Sequence, residues 1–430
     1  MIDPSRVRQH FPALLRAGAN GRPLAFFDNP AGTQICGEAM DRMRGYLVAM
    51  NANHGGAFRA SRESDAMVLE ARGAMADFLG AARPEEIVFG QNMTTLTMHV
   101  SRSLARELSP GDELVVTRLD HDANVAPWLL AARDRGCSVK WVDFDPGECA
   151  WSAEELARQV NERTKIVAVG YASNATGTIN PVAEAVRIAH SVGALCVVDA
   201  VHYAPHGPID ITSLGCDILV CSAYKFFGPH LGILYGRYDL LDRLSAYKVR
   251  PSGDSPPDKF ETGTQSFESI AGVLGAIEYL EWVGATFAAV PARGQGPAPA
   301  QGRRAVLKAA METIREHETG LARALHEGLA SIPGLRLYGI GDPRQFHGRV
   351  PTFAFTLDGR HPRAICEELD RAGITAWDGN FYARETTIRL GLEESGGMVR
   401  VGAVHYTTRE EIDNLSAAVR AIATGFRRAD

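Results

Sequence analysis

The 430-residue chain has no Cys-x-x-Cys pair. Its cysteines (Cys36, Cys137, Cys149, Cys196, Cys216, Cys221 and Cys366) are scattered and odd in number, and none follows Cys366. That pattern excludes a zinc knuckle and a disulfide framework and suits a reducing compartment. No long basic run is present, and the formal charge of −6 argues against a general grip on nucleic acid. No apolar run reads as long enough to span a membrane. The start, Met1-Ile2-Asp3-Pro4-Ser5-Arg6, lacks the basic and apolar regions of a secretory leader. A cytoplasmic location is therefore expected, with neither nucleic acid nor membrane as a partner.

What is present is an ordinary globular composition, 45% hydrophobic and 22% charged. The length predicts one large domain and a smaller one. From about residue 70 to 240, helix-like and strand-like segments alternate with short connections. Strands are expected at Glu86–Phe89, Glu113–Thr117, Val139–Phe144, Lys165–Gly170, Leu195–Asp199 and Asp217–Ser222, with a hairpin-like strand at Leu231–Tyr235. Such alternation predicts an α/β fold with a mainly parallel sheet covered by helices. Further on, Ala305–Leu329 reads as a helix, Leu335–Tyr338 and Thr352–Leu357 as strands, and Pro362–Ala372 and Arg409–Ile422 as helices. The expected division is 20–285 for the large domain, and 1–19 with 305–430 for a small α+β domain. Between them, 286–304 is rich in Gly, Pro and Ala, and reads as a mobile surface insertion or equally as a linker.

Sites in such sheets lie at the carboxyl ends of the strands. Lys225 stands just after one strand, and Asp199 closes its neighbour. A lysine amine that forms a Schiff base, beside a carboxylate that keeps a pyridine nitrogen protonated, is what pyridoxal phosphate requires. Thr94 and Thr95 open a helix directly after a strand, where free N–H groups suit a phosphate; a threonine there can equally just cap the helix. The Ser222 hydroxyl offers a third phosphate contact. His121 is placed to stack on the pyridine ring, or is simply a polar turn residue. His202 and His206 are four apart, but Pro205 and Gly207 break the helix a metal pair needs and no third ligand is evident, so no metal is expected. His202 is expected near the cofactor's phenolic oxygen, and His206 in a structural role. Arg400 is suited to clamp a substrate carboxylate, with a surface ion pair as the alternative.

These stretches together resemble the class V, fold-type I pyridoxal phosphate enzymes, most closely the cysteine desulfurase-like group. The resemblance runs from Phe27-Asp28-Asn29-Pro30-Ala31 to Tyr406-Thr407-Thr408-Arg409-Glu410-Glu411. It includes Asp120-His121-Asp122-Ala123-Asn124, Ser173 to Pro181, Asp199-Ala200-Val201-His202, Ser222-Ala223-Tyr224-Lys225 and Phe260-Glu261-Thr262-Gly263-Thr264. It implies that Lys225 is the Schiff-base lysine, Asp199 the pyridinium partner and His121 the stacking histidine. Asn174 and His202 then lie near the cofactor oxygen and substrate. Thr94, Thr95 and Ser222 form a phosphate cup. It also implies that Thr264 reaches the phosphate of a partner subunit, so that a homodimer shares its sites. Arg400, Ala31 and Tyr382 are placed at the substrate.

Three departures matter. Tyr224 replaces the family's phosphate-side histidine. Asn53-His54-Gly55-Gly56 lacks the family's basic residue. The loop Trp377-Asp378-Gly379-Asn380-Phe381-Tyr382-Ala383-Arg384 has no cysteine, and Tyr382 stands near its place. Without that thiol, persulfide formation is not expected. The leading expectation is cleavage of the β-substituent of cysteine, cysteine sulfinate or aspartate through a ketimine and an enamine. Alternatives are a decarboxylative aldolase that joins the enamine to an aldehyde co-substrate, a class V aminotransferase, and a non-catalytic cofactor-binding homologue.

Overall fold

The computed structural model describes residues 2–16, 24–288 and 302–425. Its centre is a 7-stranded sheet, ordered Ile87–Gly90, Gly232–Gly236, Ile218–Ser222, Leu195–Asp199, Thr164–Gly170, Glu113–Thr117 and Ser138–Val142. Gly232–Gly236 is antiparallel to both its neighbours, as its hairpin-like sequence implied. The pairings from Ile218–Ser222 to Ser138–Val142 are all parallel. The central strands are buried on both faces, which explains their continuous apolar runs.

Close packing sets where the functional helix begins. Helix Met93–Ala105 starts against strand Gly232–Gly236, and a Cβ on Gly232 would lie 2.3 Å from the Asn92 carbonyl carbon. Only glycine fits there, so the turn before the helix is seated directly on the sheet.

Helix Phe267–Phe287 packs on helix Gly37–Ala49, and a Cβ on Gly275 would meet the Glu38 carbonyl at 2.4 Å. By length and composition this helix could cross a bilayer, which corrects the sequence expectation that no such segment exists. Its buried residues, among them Ile270, Leu274, Ile277 and Leu280, belong to the protein's main core.

The second sheet has 4 strands in the order Trp377–Gly379, Met398–Gly402, Thr352–Leu357 and Leu335–Tyr338, and all its pairings are antiparallel. Helices Pro362–Arg371 and Arg409–Gly425 cover it. Helix Arg303–Ala330 joins the two units. Leu307, Met311 and Ile314 sit in the large core, and Leu321, Leu325 and Leu329 in the small one. Residues 1–19, expected with the small domain, straddle both in their described part. Val7, Phe11 and Leu14 pack in the large core, while Arg8 bonds Glu411 at 2.9 Å and the Tyr406 carbonyl at 3.2 Å. The proposed insertion at 286–304 lies largely outside the described residues.

Candidate active site

Strand register brings the chemistry together. Asp199 ends its strand opposite Val220, and Ser222 ends the next one. A short 3-10 turn, Ala223–Lys225, then swings the lysine back over the sheet end. One cavity at these strand ends is lined by Thr94, His121, Asn174, Asp199, His202, Tyr224 and Lys225, together with Asp120.

Lys225 is buried, and its Nζ donates to the Pro30 carbonyl. Burial, helped by the Arg400 charge, pulls its pKa down to about 7; Asp28 and Asp199 pull the other way. A substantial fraction is therefore the free amine near neutral pH, the form that attacks an aldehyde. Burial raises Asp199 to about 6, opposed by the Val201 N–H (2.9 Å) and by Lys225. A positive ring nitrogen beside it would favour its ionised form.

The phosphate end divides the threonines. Asn92 caps the helix, accepting the Thr95 N–H at 2.9 Å, and the Thr95 hydroxyl donates back to the Asn92 carbonyl at 2.9 Å. Thr95 is thus part of the cap, while Thr94 faces the cavity. The Ser222 hydroxyl is buried without a hydrogen-bond partner among the described residues. A buried hydroxyl left unpaired is costly, and a phosphate oxygen would satisfy it. These residues therefore fit pyridoxal phosphate: a buried amine of lowered pKa, a carboxylate beside it, and an unsatisfied donor at a helix start. Thr264 does not line this cavity. It lines a second one of about 680 Å³ with Thr94 and Thr95.

The substrate end is assembled from distant segments. Arg400 is buried on strand Met398–Gly402 and donates to the Asn174 carbonyl at 2.9 Å. Asp28 lies 3.8 Å from it, and the Arg400 Nε has no hydrogen-bond partner among the described residues. Burial lowers Arg400 to about 10, so it stays charged at neutral pH. The surface ion-pair alternative is excluded by this burial. Ala31 follows Pro30 in the turn that receives Lys225, and its N–H donates to the Asp28 carbonyl at 3.0 Å.

His121 accepts the Ala123 N–H at 3.0 Å, so it does serve its own turn. Its ring also stacks on Tyr382, with centroids 5.6 Å apart and planes 16° apart. Burial and the neighbouring Lys225 and Arg400 charges push it down to about 4, leaving the imidazole neutral. His202 hydrogen-bonds the Thr352 hydroxyl at 3.0 Å, and burial holds it well below the usual histidine range. His206 pairs with the buried Glu318 at 2.7 Å. Tyr224 stacks on His230 at 5.1 Å, and its carbonyl accepts the Thr33 N–H at 3.1 Å. The Tyr382 side chain is 74% exposed.

Three residues had no individual role in the sequence reading. Asp28 reaches Arg400 through a bridge to Gly402. Asp120 lines the cavity, raised by burial to about 7 and held by Thr117 (2.7 Å) and Asn124 (2.8 Å). Phe381 lies over Arg400, 4.4 Å from guanidinium carbon to ring centroid. Asp28 and Asp120 stood in stretches that signalled the site, and Phe381 adjoins Tyr382, but no periodicity marks any of them.

Comparison with known proteins identifies the family and fold. The family model described as aminotransferase class-V matches residues 25–293 and 302–415. A cysteine desulfurase of Synechococcus elongatus is 33% identical over 99% of this chain and 64% of its own length. An aminotransferase-like protein of Gibberella zeae is 32% identical over 97% of both chains. The solved apo structure of a cysteine desulfurase from Thermococcus onnurineus superposes with a TM-score of 0.84 at 26% identity, covering 99% of both chains. The chain spans 59% to 66% of the length of three of the curated relatives that it matches.

Proposed function

The chain belongs to the aminotransferase class-V family, in its cysteine desulfurase-like group of pyridoxal phosphate-dependent enzymes, and from that premise we propose that it removes a self-leaving β-substituent from a small amino acid. When bound, pyridoxal phosphate supplies an aldehyde that links to the amino group and a ring that withdraws electrons from Cα. Asp199 keeps that ring protonated. Arg400 binds the α-carboxylate through its free Nε edge. Lys225, released as a free amine, takes the Cα proton and holds it for return. Neutral His121 covers the open face of the site beneath Tyr382 and helps to exclude water.

One observation carries the choice of substituent: among the described residues, no cysteine lines the Lys225 cavity. Cys366 lines a neighbouring groove with Asp28 and Trp377, but it is buried and its thiol is pushed up to about 12. For cysteine to give alanine, its sulfur must depart without the C–S bonding electrons, and a nucleophile has to take it. A sulfinate leaves as sulfur dioxide and a β-carboxylate as carbon dioxide, each leaving its bonding electrons on Cβ, where a proton takes its place. Cysteine sulfinate and aspartate are therefore the proposed substrates, and alanine is the product.

A second reading rests on the run Tyr224-Lys225-Phe226-Phe227-Gly228-Pro229-His230, which resembles relatives that form a carbon–carbon bond at this step. In that reading the electron-rich Cβ joins an aldehyde instead of a proton, and aspartate yields a γ-hydroxy amino acid. The chain works as a homodimer in both readings, with Thr264 serving the partner's phosphate.

The test incubates holoenzyme with cysteine, cysteine sulfinate or aspartate, with and without a small aldehyde, and measures alanine, sulfite, sulfide and new amino acids. Alanine from sulfinate or aspartate but not from cysteine is the expected result. Sulfide release from cysteine at a comparable rate would sink the reading. Turnover that needs a keto-acid acceptor would assign an aminotransferase instead.

A further inference from the structure

We propose that Phe381 is a positioning residue that aims the Arg400 guanidinium at the substrate carboxylate; the inference rests on the reading above only in taking an amino acid as substrate. Strand register fixes the Arg400 backbone, opposite Ala354 and Trp377. It does not aim the long side chain. A guanidinium is a flat fork of donors with two faces that form no hydrogen bonds. One arm of the Arg400 fork donates to the Asn174 carbonyl. The Nε is buried and has no hydrogen-bond partner among the described residues, which leaves that edge open to a carboxylate. The Phe381 ring covers one face at 4.4 Å. Cation–π attraction strengthens when both partners are dry, and Phe381 and Arg400 are both buried.

The backbone holds that ring in place against its own preference. Phe381 and Tyr382 have φ of 57° and 58°, in the left-handed region that non-glycine residues avoid. Two such residues in succession persist only where neighbours over-determine them. Here the Asn174 side-chain amide donates to the Phe381 carbonyl at 2.8 Å. The Asp122 N–H donates to the Tyr382 carbonyl at 2.7 Å, and the Asn380 side chain accepts the Tyr382 N–H at 3.1 Å. Asn174 thus ties both members of the pair to one reference. Its carbonyl takes Arg400 and its side chain takes the residue stacked on Arg400. The effect is to send one aromatic ring inward over the guanidinium and the next outward over His121.

The experiment titrates holoenzyme with L-alanine and with L-alaninamide, which keeps the amine and the methyl but has no carboxylate, and follows the cofactor absorbance. Wild type is expected to bind L-alanine the more tightly. Phe381→Leu should raise the L-alanine dissociation constant about 10-fold and leave that of L-alaninamide within about twofold. Phe381→Tyr, which keeps a ring, should restore most of the loss. The inference is overturned if Phe381→Leu binds L-alanine like wild type, if both ligands weaken equally, or if wild type does not distinguish them. Should the leucine variant lose its cofactor, Phe381→Met is judged by the same criteria. Because alanine carries no β-leaving group, the cleavage assay can fail while this preference stands, and the reverse.

Discussion

The two walls of the site are held by different forces. The sheet wall carries Asp199 and Ser222 on adjacent strand ends, held by parallel and antiparallel ladders, and Lys225 on the short turn that follows Ser222. Of its side chains, the Ser222 hydroxyl has no partner among the described residues, while Asp199 accepts the Val201 N–H and Lys225 donates to the Pro30 carbonyl. The loop wall, Trp377 to Arg384, has little ladder of its own beyond Trp377–Gly379. Its tip stands in left-handed backbone at a cost of about 1–3 kcal/mol per residue, and the Asn174 and Asn380 side chains with the Asp122 N–H keep it there. Rigid ladders position groups that react. A loop clamped by side chains positions groups that select. Substitutions should therefore act differently on the two walls.

The largest contrast is expected at Lys225. Lys225→Ala should lower turnover by about 10³-fold or more, because the amine both links to the cofactor and moves the proton. Its melting temperature without cofactor should stay close to wild type, since the ladders do not depend on the side chain. A large drop in that temperature would mean that the sheet wall is not self-supporting.

At Arg400, the residue of strand Met398–Gly402 on which the loop wall's Phe381 stacks, Arg400→Gln should reduce kcat/KM for an amino-acid substrate by about 10²-fold, the value of charge-assisted bonds to a carboxylate. The loss should be shared with stability, because Asp28 and Phe381 lose their partner. An unchanged melting temperature would show that the loop tip does not lean on Arg400.

The sheet wall also makes a pH prediction. Protein stripped of cofactor captures pyridoxal phosphate through the free Lys225 amine, whose pKa is lowered to about 7. Below that value the neutral fraction rises about tenfold per pH unit, and above it the fraction saturates. The capture rate should therefore climb with pH up to about 7 and then flatten, measured by stopped-flow absorbance. A rate still climbing toward pH 10 would mean that burial has not shifted the lysine.

The smallest effect is expected at the outer residue of the loop tip. Tyr382→Gly relieves the left-handed strain but gives up the stack on His121, and terms of about 1 kcal/mol each nearly cancel. Thermal denaturation should find the two proteins within about 1 kcal/mol of each other. A clear gain would mean that strain dominates and the stack contributes little.

Much of this organisation was legible beforehand. Glu113–Thr117, Leu195–Asp199, Leu335–Tyr338 and Thr352–Leu357 were placed to the residue, because short β-rich runs bounded by turn residues allow little else. The cavity then followed from the rule that sheet sites lie at strand ends. Helix Phe267–Phe287 was not foreseen as apolar enough to cross a membrane, because its glycines and scattered acids hide a helix that is buried nearly all round. The roles of Thr94 and Thr95 could not be separated in sequence, since either hydroxyl can cap. Only the Asn92 cap decided it.

The sequence by itself determined the strand ends and the residues standing on them, because local propensity, hydrophobic pattern and turn chemistry all act within a few residues along the chain. Tertiary structure alone decided how Asp28, Asn174 and Phe381, separated by up to several hundred residues, meet around the Arg400 guanidinium. Those contacts depend on sheet register, burial and side-chain aim. None of these leaves a periodic trace in the chain, so the electrostatics that lower Lys225 and leave the Arg400 edge free arise only once the chain has folded.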